Sequence, residues 1–147
     1  MNPFDIRAAL LAKHAQHVVL IHFPIALFLA GVALDFAASW TRRKDLAMAA
    51  YFNLSLAAIS ALPVVATGLL AWQWELEGRR LKGILLMHLV SGSASLALIA
   101  AVWWVHWKFK RSSGTPPASR WVLEGLTVAG VAITGHLGGF LSGVNHL

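Results

Sequence analysis

The sequence predicts an all-α integral membrane protein, a bundle of four transmembrane helices, and two observations support this prediction. Hydrophobic residues make up 58% of the 147-residue chain, whereas charged residues make up only 12%. A soluble domain carries roughly 25% charged residues. Four apolar runs each exceed the roughly 20 residues that a helix needs to cross a bilayer. We therefore expect one transmembrane domain over residues 1–147.

The four predicted spans cover about 18–40, 46–74, 83–107 and 121–143. The connections between them are short, so consecutive spans are expected to be antiparallel neighbours. Pro63 lies inside the second span and is expected to kink it. The residues before the first span carry scattered charges without a signal-peptide pattern, which indicates an amphipathic lead-in at the membrane surface. The sequence shows no evident internal repeat.

The basic residues outside the spans predict the orientation in the membrane. Seven lie in the first and third connections, whereas five lie in the N-terminal segment and the second connection. Cytoplasmic loops carry the excess of Lys and Arg. This predicts a multi-pass membrane protein with both termini outside the cytoplasm, which is the periplasm if the membrane is the inner membrane of a Gram-negative bacterium. The tryptophans lie near the predicted span ends, as in an aromatic belt.

Seven histidines and no cysteine direct the functional interpretation. The lack of cysteine excludes disulfides, iron–sulfur clusters, covalent c-type haem and thiolate zinc sites. His22, His88 and His136 lie on three different spans at a similar predicted depth, roughly 6–10 Å below one face of the bilayer at 1.5 Å per residue. Ionisable residues within a membrane are functional candidates, although a single histidine also serves as a structural hydrogen bond between helices.

The other four histidines are expected outside this layer. His17 and His146 lie at or just above the same face, His14 lies further out, and His106 lies at the opposite face. On a regular helix, His17 and His22 point some 140° apart, so they cannot both face one partner.

The scarcity of membrane carboxylates narrows the chemistry of the histidine layer. Asp35 is the one carboxylate well inside a predicted span, and it is expected at the opposite end, paired with a basic residue such as Arg42. A carboxylate-rich di-iron site is therefore disfavoured. A zinc or copper site made of histidines stays open. Haem b held by two histidines fits best, because neutral imidazole is its axial ligand.

Small residues beside the histidines predict room for a flat cofactor. Gly92 and Ser95 share a helix face with His88. A ridge of Gly135, Gly139 and Gly143 accompanies His136. Such motifs also serve plain helix packing. Pro24 is expected to open the first helix locally, which could aim His22 inward.

Several motifs together resemble domain of unknown function 2231, a bacterial family of four-span membrane proteins. The resemblance rests on His14-x-x-His17-x4-His22-Phe-Pro24, Thr67-Gly68, His88 and Gly135-x-x-Gly138-Gly139, with His146 near the end. Ala15 and Val18 stand where the family usually has proline, and the glycine-rich end departs from the usual pattern. Members of this family sometimes carry cytochrome c domains, so the resemblance implies redox work rather than transport.

These observations predict a haem b-binding membrane subunit rather than a stand-alone enzyme. It would transfer electrons between an extracytoplasmic redox partner, such as a periplasmic cytochrome, and the quinone pool or a larger respiratory or photosynthetic complex. The expected iron ligands are His22 and His88, and the next candidates are His136, His17 and His146. Gly139, Gly92 and Ser95 are expected to contact the cofactor. One haem is expected, or two if all five of these histidines are ligands.

Two alternatives of other classes stay open. The first is a cofactor-free subunit that anchors or assembles a larger membrane complex. The second, less favoured, is a metal or proton transporter that uses the histidines as ligands or relays. Membrane lipid and other membrane subunits are expected partners, and no motif indicates nucleic acid.

Overall fold

The structure, a computed structural model, describes residues 13–74, 76–78, 80–112 and 116–145, with side chains from residue 16 onward. All regular secondary structure within these residues is helical. The helices are α1 Lys13–Leu20, α2 His22–Thr41, α3 Lys44–Trp74, α4 Gly83–Arg111 and α5 Arg120–Leu141. Four segments are long and apolar enough to cross a membrane, and the first of them joins α1 to α2. The predicted all-α, four-span membrane fold is confirmed.

The break between α1 and α2 follows from Pro24. Proline has no N–H, so the carbonyl of Leu20 loses its helical partner. Ile21 separates the two helices but keeps a right-handed helical backbone. The chain therefore opens locally while continuing in nearly the same direction. Pro63 has no such effect, because α3 continues through it without a break.

The helices pack as two hairpins: the first is formed by α3 with α2 and its extension α1, and the second by α4 with α5. These two pairs make the most extensive interfaces, and the hairpins meet mainly through α3 and α4. α1, which extends α2 toward its N-terminal end, also packs against α3. Gly31 permits the close approach of α2 to α3, because a Cβ there would lie 2.9 Å from Cγ of Leu54. A central core joins all four long helices through Phe28, Leu54, Ala57, Ile99, Val102 and Val131.

Large apolar side chains cover much of the outer surface of the bundle. Phe23, Ile59, Val90 and Val122 are each more than half exposed, and they lie on four different helices. In water such a surface would be an association or aggregation hazard. In a bilayer it is the face that contacts lipid tails, which agrees with four transmembrane spans.

The buried positions of the second hairpin repeat those of the first. Four of the five buried residues of α2 have a buried counterpart in α4, 71 positions later; Phe28 and Ile99 are one such pair. Three of the five in α3 have a buried counterpart in α5, 70 positions later; Leu54 and Glu124 are one such pair. The residue types differ at all seven of these pairs of positions, which hides the repeat in the sequence.

Candidate functional site

A cavity of about 320 Å³ lies between the two hairpins at one end of the bundle. We call this the cavity end. Its walls are mostly aliphatic and come from α1 to α5, including Ile21, Val64 and Leu96. Two imidazoles enter this apolar space: His17 from the first hairpin and His88 from the second. The cavity therefore places two histidines of distant sequence position in one site.

His17 is fixed by two consecutive residues of α3. Its Nδ1 lies 3.3 Å from Oγ1 of Thr67. The Thr67 hydroxyl donates its one proton to the carbonyl of Pro63 or Val64 within α3, so its oxygen accepts from His17. The ring lies against Gly68, where a Cβ would be 3.0 Å from its Cε1. His17 is thus held with the proton on Nδ1 and, when neutral, the lone pair on Nε2.

His88 is fixed in the same manner by α5. Its Nδ1 lies 3.1 Å from the carbonyl oxygen of Thr134. A carbonyl only accepts, so Nδ1 of His88 is the donor and the neutral ring carries its lone pair on Nε2. The ring lies against Gly138, where a Cβ would be 3.2 Å from Cε1. Each hairpin therefore presents one imidazole of the same tautomer, packed on one glycine.

Small polar residues complete the wall on the side of the second hairpin. Gly92 and Ser95 line the cavity, on the same face of α4 as His88. Ser95 Oγ lies 3.1 Å from Oγ1 of Thr134. A Cβ on Gly130 would lie 3.1 Å from the same Ser95 oxygen, so glycine there lets α5 approach α4 closely.

His22 and His136 have exposed side chains and do not line the cavity. Nδ1 of His22 donates to the carbonyl of Val18 at 2.8 Å, which holds the ring along the outside of the helix. His136 packs edge-on against Phe140 with 5.0 Å between ring centres. The opening at Pro24 does not aim His22 inward. His17 and His22 point some 140° apart on a helix, so His22 points away from the cavity because His17 points into it.

The glycine ridge of α5 that faces α4 is not the one that the sequence predicts. The facing residues are Gly130, Thr134 and Gly138. A Cβ on Gly135 would touch nothing within 4 Å, and Gly139 instead packs against the side chain of Asn145. Gly143 follows the end of the helix with a φ of 74°. One further ligand candidate, His146, lies outside the described residues, as does the side chain of His14.

The opposite end of the bundle holds a buried polar cluster that the sequence analysis missed. We call it the charged end. Asp35 accepts a hydrogen bond from Nε of Arg120 at 2.7 Å, and Nε2 of His106 lies 2.9 Å from Oε1 of Glu124. Asp35 therefore pairs with Arg120 and not with Arg42, which caps α2 and is exposed. One feature of the sequence does point to this cluster: Arg120 and Glu124 lie one helical turn apart at the start of the last span.

A family model described as "Predicted membrane protein (DUF2231)" matches residues 13–146. The chain belongs to this family. The match covers nearly the whole chain, including all seven histidines, and it confirms the resemblance that the sequence motifs indicated. No curated protein and no solved structure matches the chain. This DUF2231 protein is therefore a four-span membrane protein, and its activity has to be inferred from its site.

Proposed function

We propose that this DUF2231 protein is a haem b-binding membrane subunit that transfers electrons, in which His17 and His88 would hold the haem iron. The observation that carries the proposal is that one apolar cavity receives one imidazole from each hairpin. This pair replaces the pair of His22 and His88 expected from the sequence, because the His22 side chain lies on the outside.

The hydrogen bonds of the two rings fit axial ligation. A metal-bound histidine typically donates its other ring N–H to a carbonyl, carboxylate or water, which fixes the ring and its tautomer. Thr67 accepts from Nδ1 of His17, and the Thr134 carbonyl accepts from Nδ1 of His88. Both hydrogen bonds favour Nε2 as the ligand atom. The haem would supply a one-electron couple, and the aliphatic walls would exclude water from it.

The place of the cavity indicates which partners fit. It lies at one end of the bundle, so a cofactor there would be near one face of the membrane. With the orientation that the basic loops favour, this is the periplasmic face of a bacterial inner membrane. An extracytoplasmic cytochrome or dehydrogenase, a larger redox complex or quinone would then exchange electrons with it. In this role the chain is an electron-transfer subunit and not a stand-alone enzyme.

The visible absorption spectrum of the detergent-purified chain, oxidised and then reduced with dithionite, tests this function. We expect a low-spin spectrum that either His17→Ala or His88→Ala abolishes or converts to high spin, because one axial position opens. His22→Ala and His136→Ala serve as matched controls that remove exposed histidines near the same end. A low-spin spectrum that survives loss of His17 or His88 would reject this ligand pair. A folded protein without haem would reject the function.

One observation favours a second candidate, a cofactor-free anchoring subunit. His17 and His88 each have a hydrogen-bond acceptor on a neighbouring helix and a glycine under the ring. These contacts would also make them structural links between helices. In that case both alanine variants should lower the thermal stability while no variant changes a visible spectrum.

A further inference from the structure

At the charged end, remote from the histidine cavity, three side chains of types that bind metal ions come together from three different helices. They are Asp35 on α2, His106 on α4 and Glu124 on α5. One ligand atom of each lies within 4.8 Å of the others. All three are buried, with exposed fractions of 6%, 5% and 1%. Burial of two carboxylates and an imidazole together is costly unless their charges are compensated.

The contacts at the charged end do not fully compensate the charges of the two buried carboxylates. Arg120 is the one guanidinium hydrogen-bonded to the cluster among the described residues, and it serves Asp35. Oε1 of Glu124 is bonded to His106, whereas Oε2 is fully buried and has no hydrogen-bond partner among the described side chains and backbone. With a neutral His106, two carboxylates face one guanidinium. A buried carboxylate oxygen without a protein partner is a position that a cation, a proton or a water molecule would satisfy.

We propose that Asp35, His106 and Glu124 bind a divalent transition-metal ion of the zinc type. One imidazole nitrogen and two carboxylates are ligands that zinc accepts at 2.0–2.2 Å, and three protein ligands leave a fourth position for water. At such bond lengths, tetrahedral ligand atoms lie roughly 3.4 Å apart. The present separations, up to 4.8 Å, need only small side-chain rotations. Nε2 of His106, which now lies 2.9 Å from Oε1 of Glu124, would bind the ion instead, and the neutral imidazole would carry its one proton on Nδ1.

The residues around the three ligands act as their supports. Arg120 bonds Oδ2 of Asp35 through Nε and Oγ of Ser39 through Nη2. Its guanidinium also lies over the ring of Trp121, 4.0 Å from the ring centre. Asp35 is thereby held from one side, as ligating carboxylates are held in metal sites. A metal here would join α2, α4 and α5 and add to the bonds by which Arg120 already links α5 to α2.

The experiment is a Zn²⁺ titration of the full-length protein in detergent, after removal of metal with a chelator, read by competition with a chromophoric chelator. We expect one Zn²⁺ per chain and a rise in the thermal unfolding temperature that EDTA reverses. Glu124→Gln should weaken binding by more than about 100-fold, since even partners behind the ligands contribute 10–100-fold. Asp45→Asn, which removes an exposed carboxylate at the same end, should leave binding unchanged.

Three results would overturn the proposal. The first is a wild-type protein that binds no Zn²⁺ stoichiometrically. The second is binding that survives both Glu124→Gln and His106→Gln, which would place the ion elsewhere on the surface. The third is binding that is lost in His88→Ala but kept in Glu124→Gln, which would place it in the cavity. If the circular dichroism of Glu124→Gln shows that this variant has lost its helices, the Zn²⁺ affinity of His106→Gln is used to test the site instead. None of these results depends on haem.

Discussion

Gly68→Ala tests the close contact that holds His17 in the cavity. The added Cβ would lie 3.0 Å from Cε1 of His17, 3.4 Å from Nδ1 and 3.6 Å from Nε2. The ring must move by several tenths of an ångström, and its bond to Thr67, already 3.3 Å long, must lengthen or break. Overpacking of this kind costs about 1–3 kcal/mol. If the strain falls on the haem-bound state, haem affinity drops by about 5–150-fold, at 1.4 kcal/mol per factor of ten.

The assay is the amount of low-spin haem per chain in the purified variant, together with its thermal unfolding. Gly138→Ala is the symmetric variant, because a Cβ there would lie 3.2 Å from Cε1 of His88, and it should have the same effect. Gly125→Ala is the control, since a Cβ on this helical glycine meets nothing within 4 Å. Wild-type haem content in Gly68→Ala and Gly138→Ala would refute the view that these glycines seat the two ligands.

Three further predictions concern other parts of the molecule. Arg120→Met should lower the free energy of unfolding by about 3–5 kcal/mol, measured in detergent by chemical denaturation, because it leaves Asp35 buried without its partner. Thr67→Val should keep the fold but shift the haem midpoint potential, because His17 loses the acceptor of its Nδ1 proton. A cysteine at Ser112 in this cysteine-free chain should react with an impermeant reagent only in opened cells.

Each of these predictions has a matched control. Arg43→Met breaks an exposed ion pair and should leave stability nearly unchanged. Ser60→Ala removes a hydroxyl that bonds only its own helix at Ala57 and should leave the potential unchanged. A cysteine at Lys82, exposed on the connection near the cavity end, should be labelled in intact cells. The reverse labelling pattern at Ser112 and Lys82 would invert the proposed orientation.

The four spans could be predicted because they depend on composition over long windows. Each membrane helix must satisfy its own backbone hydrogen bonds and face lipid, so a run of about 20 apolar residues identifies it almost regardless of order. Depth along the helix axis also follows from counting residues. His88 and His106 accordingly lie at opposite ends of α4, as their positions in the third predicted span indicate.

The rotation of each helix about its axis was the part that the sequence could not supply. A membrane helix that is apolar all round has little amphipathic signal to show which face is inward. His17 and His22 differ by some 140° in direction, and depth alone favoured His22. For the same reason the predicted glycine ridge of α5 lies on the wrong face of the helix: Gly138, and not Gly139, contacts a histidine.

The two hairpins carry matching residues at one end of the bundle and different residues at the other. At the cavity end, two pairs of counterparts are identical: His88 follows His17 by 71 residues, and Gly138 follows Gly68 by 70. The haem proposed for this cavity would be held by these two histidines, one from each hairpin. At the charged end the counterparts differ, because His106 corresponds to Asp35 and Glu124 to Leu54. The metal site proposed there uses two carboxylates and one imidazole, and its three ligands lie at positions where the two hairpins carry different residues.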